Sequence, residues 1–177
     1  VALVGRPNVG KSVLFHALTG RYAAVSNYSG TTLDLRTASG EGGLEVTDTP
    51  GLFSLESRSD DEAVTRALLA GGGADVLVQV GNACDPEGAL TMAFDLARLG
   101  LPTVLVLNMA DEAEAEGIVV DSQGLSEALG VPVIVAAATS GRGVENLKAT
   151  LRAAAPVRPP PLPPELDAAV DRLARRL

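Results

Sequence analysis

Val1-Ala2-Leu3-Val4-Gly5-Arg6-Pro7-Asn8-Val9-Gly10-Lys11-Ser12 joins an apolar run to the spacing Gly-x-x-x-x-Gly-Lys-Ser. Behind it, residues 11–19 carry apolar residues at helical spacing and stop at Gly20. Strand, glycine-rich loop and helix in that order make a phosphate cradle. Glycines let consecutive backbone N–H groups converge on an anion, and the helix amino terminus adds the positive end of its dipole. Lys11 is then placed to reach β- and γ-phosphate oxygens, and Ser12 to coordinate Mg2+. A strand before the motif and a helix after it turn a short string into a nucleoside-triphosphate site.

Outward from this stretch the same rhythm continues. Short β-branched runs at 1–4, 44–47, 76–80, 103–107 and 131–136 alternate with segments of helical period at 60–70, 86–99, 122–129 and 144–154. An alternating segment at 33–38, followed by Ser39-Gly40-Glu41-Gly42-Gly43, adds an edge strand. The predicted fold is α/β: a six-stranded, mainly parallel sheet with helices on both faces.

Composition bounds the rest. The 177 residues form one domain with an appendage: six of the eleven prolines fall between 156 and 164, a stiff linker, and 165–177 reads as an amphipathic helix with Leu166, Val170, Leu173 and Leu177 on one stripe. The expected organisation is a nucleotide domain over 1–155, a linker over 156–164 and the start of a truncated helical segment over 165–177. With no Met ahead of the first apolar run, the chain reads as a trimmed fragment. Mean hydropathy is +0.23 and the hydrophobic fraction 46%, enough for a core, but aromatics are 3%, so Ala, Val and Leu must build it. A net charge of −8 repels a phosphate backbone from most of the surface and argues against nucleic acid. Cys84 stands alone, which excludes an internal disulfide and fits a reducing compartment. Neither it nor His16 belongs to a metal-ligand cluster. No apolar run approaches the roughly 18–20 residues that cross a bilayer.

The base and the γ-phosphate are read further along. Asn108-Met109-Ala110-Asp111 follows the strand at 103–107, where a carboxylate can accept from N1–H and the 2-amino group of guanine, a pair adenine does not offer. Ala136-Ala137-Ala138-Thr139, after the last strand, can supply a backbone N–H to guanine O6. Asp48-Thr49-Pro50-Gly51 follows the strand at 44–47; Asp48 can hold Mg2+ through a water, and Gly51 can give an N–H to the γ-phosphate. Thr31 and Thr32 lie in the Gly-flanked loop at 26–32, where one hydroxyl completes the Mg2+ shell, the arrangement of a nucleotide switch.

Together these motifs resemble the GTPase superfamily, and more narrowly the amino-terminal G domain of the FeoB family of ferrous iron transporters. Met109 stands where most GTPases have Lys and is followed by acidic residues. Val25-Ser26-Asn27-Tyr28-Ser29-Gly30-Thr31-Thr32 is similar to that family's switch loop and aligns Thr32 with the Mg2+ threonine. Asp48-Thr49-Pro50-Gly51-Leu52-Phe53-Ser54-Leu55 and the segment from Pro164-Glu165-Leu166 resemble its following motifs. Tyr28, Ala137 and the turn Gly81-Asn82-Ala83-Cys84-Asp85 depart from it; Ala137 removes a hydroxyl that would brace the guanine loop.

The resemblance implies binding of GTP and GDP by Gly5, Asn8, Val9, Gly10, Lys11, Ser12, Val13, Asn108, Met109, Asp111, Ala137, Ala138 and Thr139. Mg2+ falls to Ser12, Thr32 and Asp48, and catalysis to Asn8, Lys11, Thr32 and Gly51. The expected role is slow GTP hydrolysis on the cytoplasmic side of the inner membrane, regulating an iron channel in the same protein; self-association stays open. Leu52 occupies the position where Ras-like enzymes carry a water-orienting Gln. The resemblance therefore implies a K+ ion held by Asn8 in the place of an arginine finger, against the plainer reading that Asn8 shapes the loop. Arg6 is an internal finger or a solvent-facing side chain. Asp34, Arg36 and the acidic run at 111–116 read first as solvated surface. Two rival functions stand beside this one: a ribosome- or tRNA-associated GTPase, and a nucleotide switch that hardly hydrolyses GTP.

Overall fold

The strand ahead of the glycine-rich loop, β1 (Ala2–Val4), is fully buried and lies in the interior of the sheet. The structure, a computed structural model, describes residues 1–20, 24–27, 34–55 and 60–158. In chain order, β1 is followed by α1 (Lys11–Thr19), β2 (Ala24–Asn27), β3 (Asp34–Ser39), β4 (Glu45–Asp48), α2 (Asp60–Ala70) and β5 (Leu77–Asn82). Then come α3 (Pro86–Ala97), β6 (Pro102–Asn108), α4 (Ala110–Ala115), α5 (Ser122–Leu129), β7 (Val133–Val135), α6 (Val144–Thr150) and β8 (Ala155–Pro156).

The strands run in the order β2-β3-β4-β1-β5-β6-β7, with β8 paired to β6. Pairs from β4 through β1, β5 and β6 to β7 are parallel, whereas β2–β3, β3–β4 and β6–β8 are antiparallel. Chain order reverses beside β1: the next strands lie on one side of it and β5 to β7 on the other. The crevice at the carboxyl ends of β1 and β5 is thus the switch point where α/β sheets take ligands.

Both faces are covered because successive side chains of each strand point to opposite sides. Leu3, Val78, Val80, Val104, Val106 and Ile134 pack with Leu14, Phe15 and Leu147 of α1 and α6. Ala2, Val4 and Leu77 meet Leu68, Met92 and Leu96 of α2 and α3, while Leu105 and Leu107 meet Ala89, Ala93 and Leu129. Leu, Val and Ala do build this core, with Phe15 its one fully buried aromatic among the described residues. No helix among the described residues is long and apolar enough to cross a membrane.

All six expected strands form, and the structure adds two. β2 falls at the start of the expected loop at 26–32; its four residues are a strand through antiparallel pairing with β3, not through apolar alternation. β8 pairs Pro156 with Pro102, and Val157 beyond it is buried, so the packed body runs past residue 155. The acidic run contains a helix, α4, whose Ala110 and Ala113 are buried while Asp111, Glu112 and Glu114 face solvent. Carboxylates in its first turn suit the positive end of a helix dipole. α6 stops at Thr150 and tightens into a 3-10 turn over Leu151–Ala153. The loop at 28–33 with Thr31 and Thr32, the rest of the linker and the amphipathic segment at 165–177 lie outside the described residues.

Candidate functional site

Three glycines show why the loop after β1 reads as it does. A Cβ on Gly5 would strike the carbonyl of Val80 in β5, and one on Gly10, at φ +88°, would strike the Asn108 amide. One on Gly51 would sit 2.6 Å from the Pro7 ring. The loop is therefore pressed against β5, β6 and the segment after β4 without room for side chains. Asn8 completes the curve at φ 64°, a left-handed conformation that Asn tolerates better than most residues.

Lys11, 7% exposed, crosses the loop and donates to the Arg6 carbonyl at 2.9 Å. Burial pushes its pKa below the ordinary lysine value, and Asp48 opposes that shift. Ser12 Oγ donates to Asp48 Oδ2 at 2.7 Å, while Asp48 Oδ1 is buried with no hydrogen-bond partner among the described residues. A hydroxyl and an unsatisfied buried carboxylate oxygen side by side are a donor set that suits a hard cation. Mg2+ fits there on the chemistry of these two groups.

Across the loop, Asn108 is 4% exposed and both ends of its amide are engaged. Nδ2 donates to Val9 O at 3.0 Å, and Oδ1 accepts from Ala138 N–H at 2.9 Å. One side chain thus joins the glycine-rich loop to the turn after β7. Met109 follows at φ 64°; with Asn8 it is the second non-glycine residue at positive φ among the described residues. The turn is held by Ala110 N–H donating to Ala136 O at 3.0 Å and by the buried Ala113. Asp111 is exposed in the first turn of α4.

The turn after β7 narrows one expectation. Ala138 N–H is spent on Asn108, and Ala137 N–H on Arg142 O at 3.1 Å, so neither is left for guanine O6. Thr139, the last of the four expected residues, is exposed. Leu52 is 1% exposed and packed in the core, with its N–H donating to Gly5 O at 3.0 Å; it faces away from solvent and orients no water. Val13 lies 40% exposed on the outer side of the first turn of α1. Thr32 lies outside the described residues.

Arg6 is not free in solvent but paired. Its Nη1 lies 3.2 Å from Asp85 Oδ2, and Asp85 caps α3 by accepting Gly88 N–H at 2.9 Å. Gly88 leaves the guanidinium its space, since a Cβ there would strike both side chains. The Arg6–Asp85 pair and a second one, Arg142–Glu114, were not among the expected residues; Asp85 ahead of Pro86 at a helix start was the available signal for the cap. A cavity of about 660 Å³ between Val1, Glu45 and Arg152 lies at the opposite ends of the strands and brings none of these groups together.

With the geometry in place, comparison with known proteins decides the family. Residues 1–151 match the family described as Ferrous iron transport protein B. The chain belongs to the FeoB family. The Fe(2+) transporter FeoB of Escherichia coli is 37% identical over 159 residues, covering 84% of this chain and 20% of the relative, so the chain spans about a fifth of that protein. Among solved structures, the cytosolic domain of L. pneumophila FeoB superposes with a TM-score of 0.88 at 32% identity, covering 99% of this chain and 79% of that one. An S. thermophilus NFeoB variant bound to mGDP gives 0.88 at 30% identity, covering 96% and 68%. The fold is that of a FeoB G domain, an α/β P-loop GTPase fold.

Proposed function

We propose that this chain binds GTP and GDP, hydrolyses GTP slowly, and acts on the cytoplasmic side of the membrane to regulate ferrous iron uptake through a channel elsewhere in the same protein. The observation that carries the reading is Asn108. A buried amide bonded to both the phosphate loop and the turn after β7 has a purpose where one ligand touches both, and a nucleotide is such a ligand. Met109 and the net charge of −8 weigh against an RNA-bound relative.

Each residue then has a task. Gly5, Val9 and Gly10 bring backbone N–H groups to the β-phosphate, and Lys11, released from the Arg6 carbonyl, turns its charge to the β- and γ-oxygens. Ser12 and Asp48, with Thr32 from the switch loop, would hold Mg2+, which when bound neutralises charge on the β- and γ-phosphates. Asp111 accepts from N1–H and the 2-amino group of guanine, and Thr139 donates its N–H to O6. Gly51 presents its N–H to the γ-phosphate from a segment that Pro7 and Leu52 anchor to the loop. Phe53, next in line, donates its N–H to the buried Glu62 at 2.8 Å and ties this segment to α2.

Leu52 has no hydrogen-bonding group to orient the attacking water, so the stabilisation must come from backbone donors and cations. Asn8, exposed and left-handed on the rim of the loop, is the residue we assign to K+. Single-turnover GTP hydrolysis tests this: the rate should be higher in K+ than in Na+, and Asn8→Ala should abolish the difference. Equal rates in both salts would remove K+ from the account; no hydrolysis in either would leave a nucleotide switch.

A further inference from the structure

We propose that Glu114 and Arg142 form a clasp that closes the two base-side loops and sets how long the nucleotide stays bound. The proposal rests on the nucleotide reading above and deepens it. Arg142 Nη1 donates to Glu114 Oε2 at 2.9 Å and Nη2 to Oε1 at 2.5 Å, a two-pronged pair across 28 residues of sequence. Its members stand on different loops. Glu114 belongs to α4, which begins straight after Asn108-Met109, and Arg142 to the turn that contains Ala138 and Thr139.

Neither partner is loosely mounted. Gly141 and Gly143 flank Arg142 at φ 78° and 85°, and a Cβ on Gly143 would lie 2.8 Å from Val135 O, so the turn is folded down onto β7. The Arg142 carbonyl accepts from Ala137 N–H, which fixes the residue at its backbone as well. Glu114 is anchored through its neighbour Ala113, 2% exposed. Below the pair lies a cavity of about 370 Å³ lined by Ala83, Ile118 and Val135, so the ion pair bridges a gap rather than a packed seam.

The chemistry of the base explains why the clasp matters. Asp111 and Thr139 take hold of neighbouring groups on the Watson–Crick edge of the guanine, N1–H and the 2-amino group from α4 and O6 from the turn after β7, and the base leaves when the two segments part. Arg142 also lies within Coulombic reach of Asp111 and offsets the acidic face of α4. Exposed ion pairs contribute little on average, but two-pronged Arg–carboxylate geometry on rigid mounts is the favourable case. The effect is a brake on release of modest size.

The test is stopped-flow release of a fluorescent GDP and of a non-hydrolysable GTP analogue from this chain and its variants. Glu114→Gln and Arg142→Gln should each speed release of both nucleotides by the same factor, about two- to fivefold, the scale of an exposed pair. The double variant should be no faster than either single one, since both remove one interaction. The charge-reversed pair Glu114→Arg with Arg142→Glu should return release toward the wild-type rate. Release should also quicken with salt more steeply in the wild type than in Glu114→Gln. Release unchanged in the single variants, or factors that multiply in the double variant, would overturn the clasp while leaving nucleotide binding intact. A wild-type chain that binds no GDP would instead overturn the reading beneath it. Should Arg142→Gln not fold, Glu114→Gln and the salt series decide the matter on their own.

Discussion

The phosphate side and the base side of this site are built in different ways. The phosphate loop is the six consecutive residues between β1 and α1, pressed against β5 and shaped by Gly5 and Gly10, whose missing side chains leave room for neighbouring strands. The base side is assembled from segments nearly thirty residues apart, joined by Asn108 within the fold and by Glu114–Arg142 at its surface. In the proposed reading a locally encoded cradle holds the charge, and a long-range one holds the identity of the base. Damage to the first should cost affinity for any nucleotide; damage to the second should cost stability and selectivity.

Lys11→Ala gives the largest expected effect. It deletes the one buried cation of the cradle among the described residues, and charge-assisted hydrogen bonds of about 3 kcal/mol correspond to roughly 100-fold in affinity. Calorimetric titration with GDP should show that loss, while the melting temperature hardly moves, because the lysine donates to a single carbonyl in the free chain. Asn108→Ala should do the reverse. It strands a carbonyl and an N–H at a buried position, at about 2–4 kcal/mol, and should lower the melting temperature by roughly 4–16 °C. If Asn108→Ala weakened GDP without touching thermal stability, the bracing role would be wrong.

A smaller effect lies in pH. Burial holds the Lys11 pKa below the ordinary lysine value of 10.5 in the free chain, and phosphate oxygens bind the charged form. Affinity should therefore be level below that lowered pKa and fall as pH rises through it. Lys11→Arg, charged throughout, should lack this part of the fall, and any ionisation of the guanine itself is common to both proteins. Parallel curves for the two proteins would show that the shift has no bearing on binding.

The same contrast decides how much of the molecule could be read in advance. Val1 to Ser12 announced strand, loop and helix because each local choice agreed with the next, and the four other apolar runs and the alternating segment at 33–38 placed their strands for the same reason. β2, β8 and α4 escaped notice because pairing partners or two small buried alanines make them, not their own periodicity. The donor to guanine O6 was read only as far as the stretch 136–139, and the fold spends the Ala138 N–H on Asn108; a side-chain amide reaching across 30 residues leaves no mark in the local string. Arg6 was legible as a cation but not as the partner of Asp85, since the space it occupies comes from the absent side chain of Gly88.

The central claim is that both sides serve one guanine nucleotide. The direct measurement is calorimetric titration of the chain, in Mg2+, with GDP, ADP and xanthosine diphosphate, repeated with Asp111→Asn. The account predicts that the wild type binds GDP and not ADP. It also predicts that Asp111→Asn loses GDP and gains xanthosine diphosphate, because the Asn amide donates to the 2-oxo group where the carboxylate accepted from an amine. Equal affinity for ADP and GDP, or an Asp111→Asn chain that keeps its preference for GDP, would contradict it.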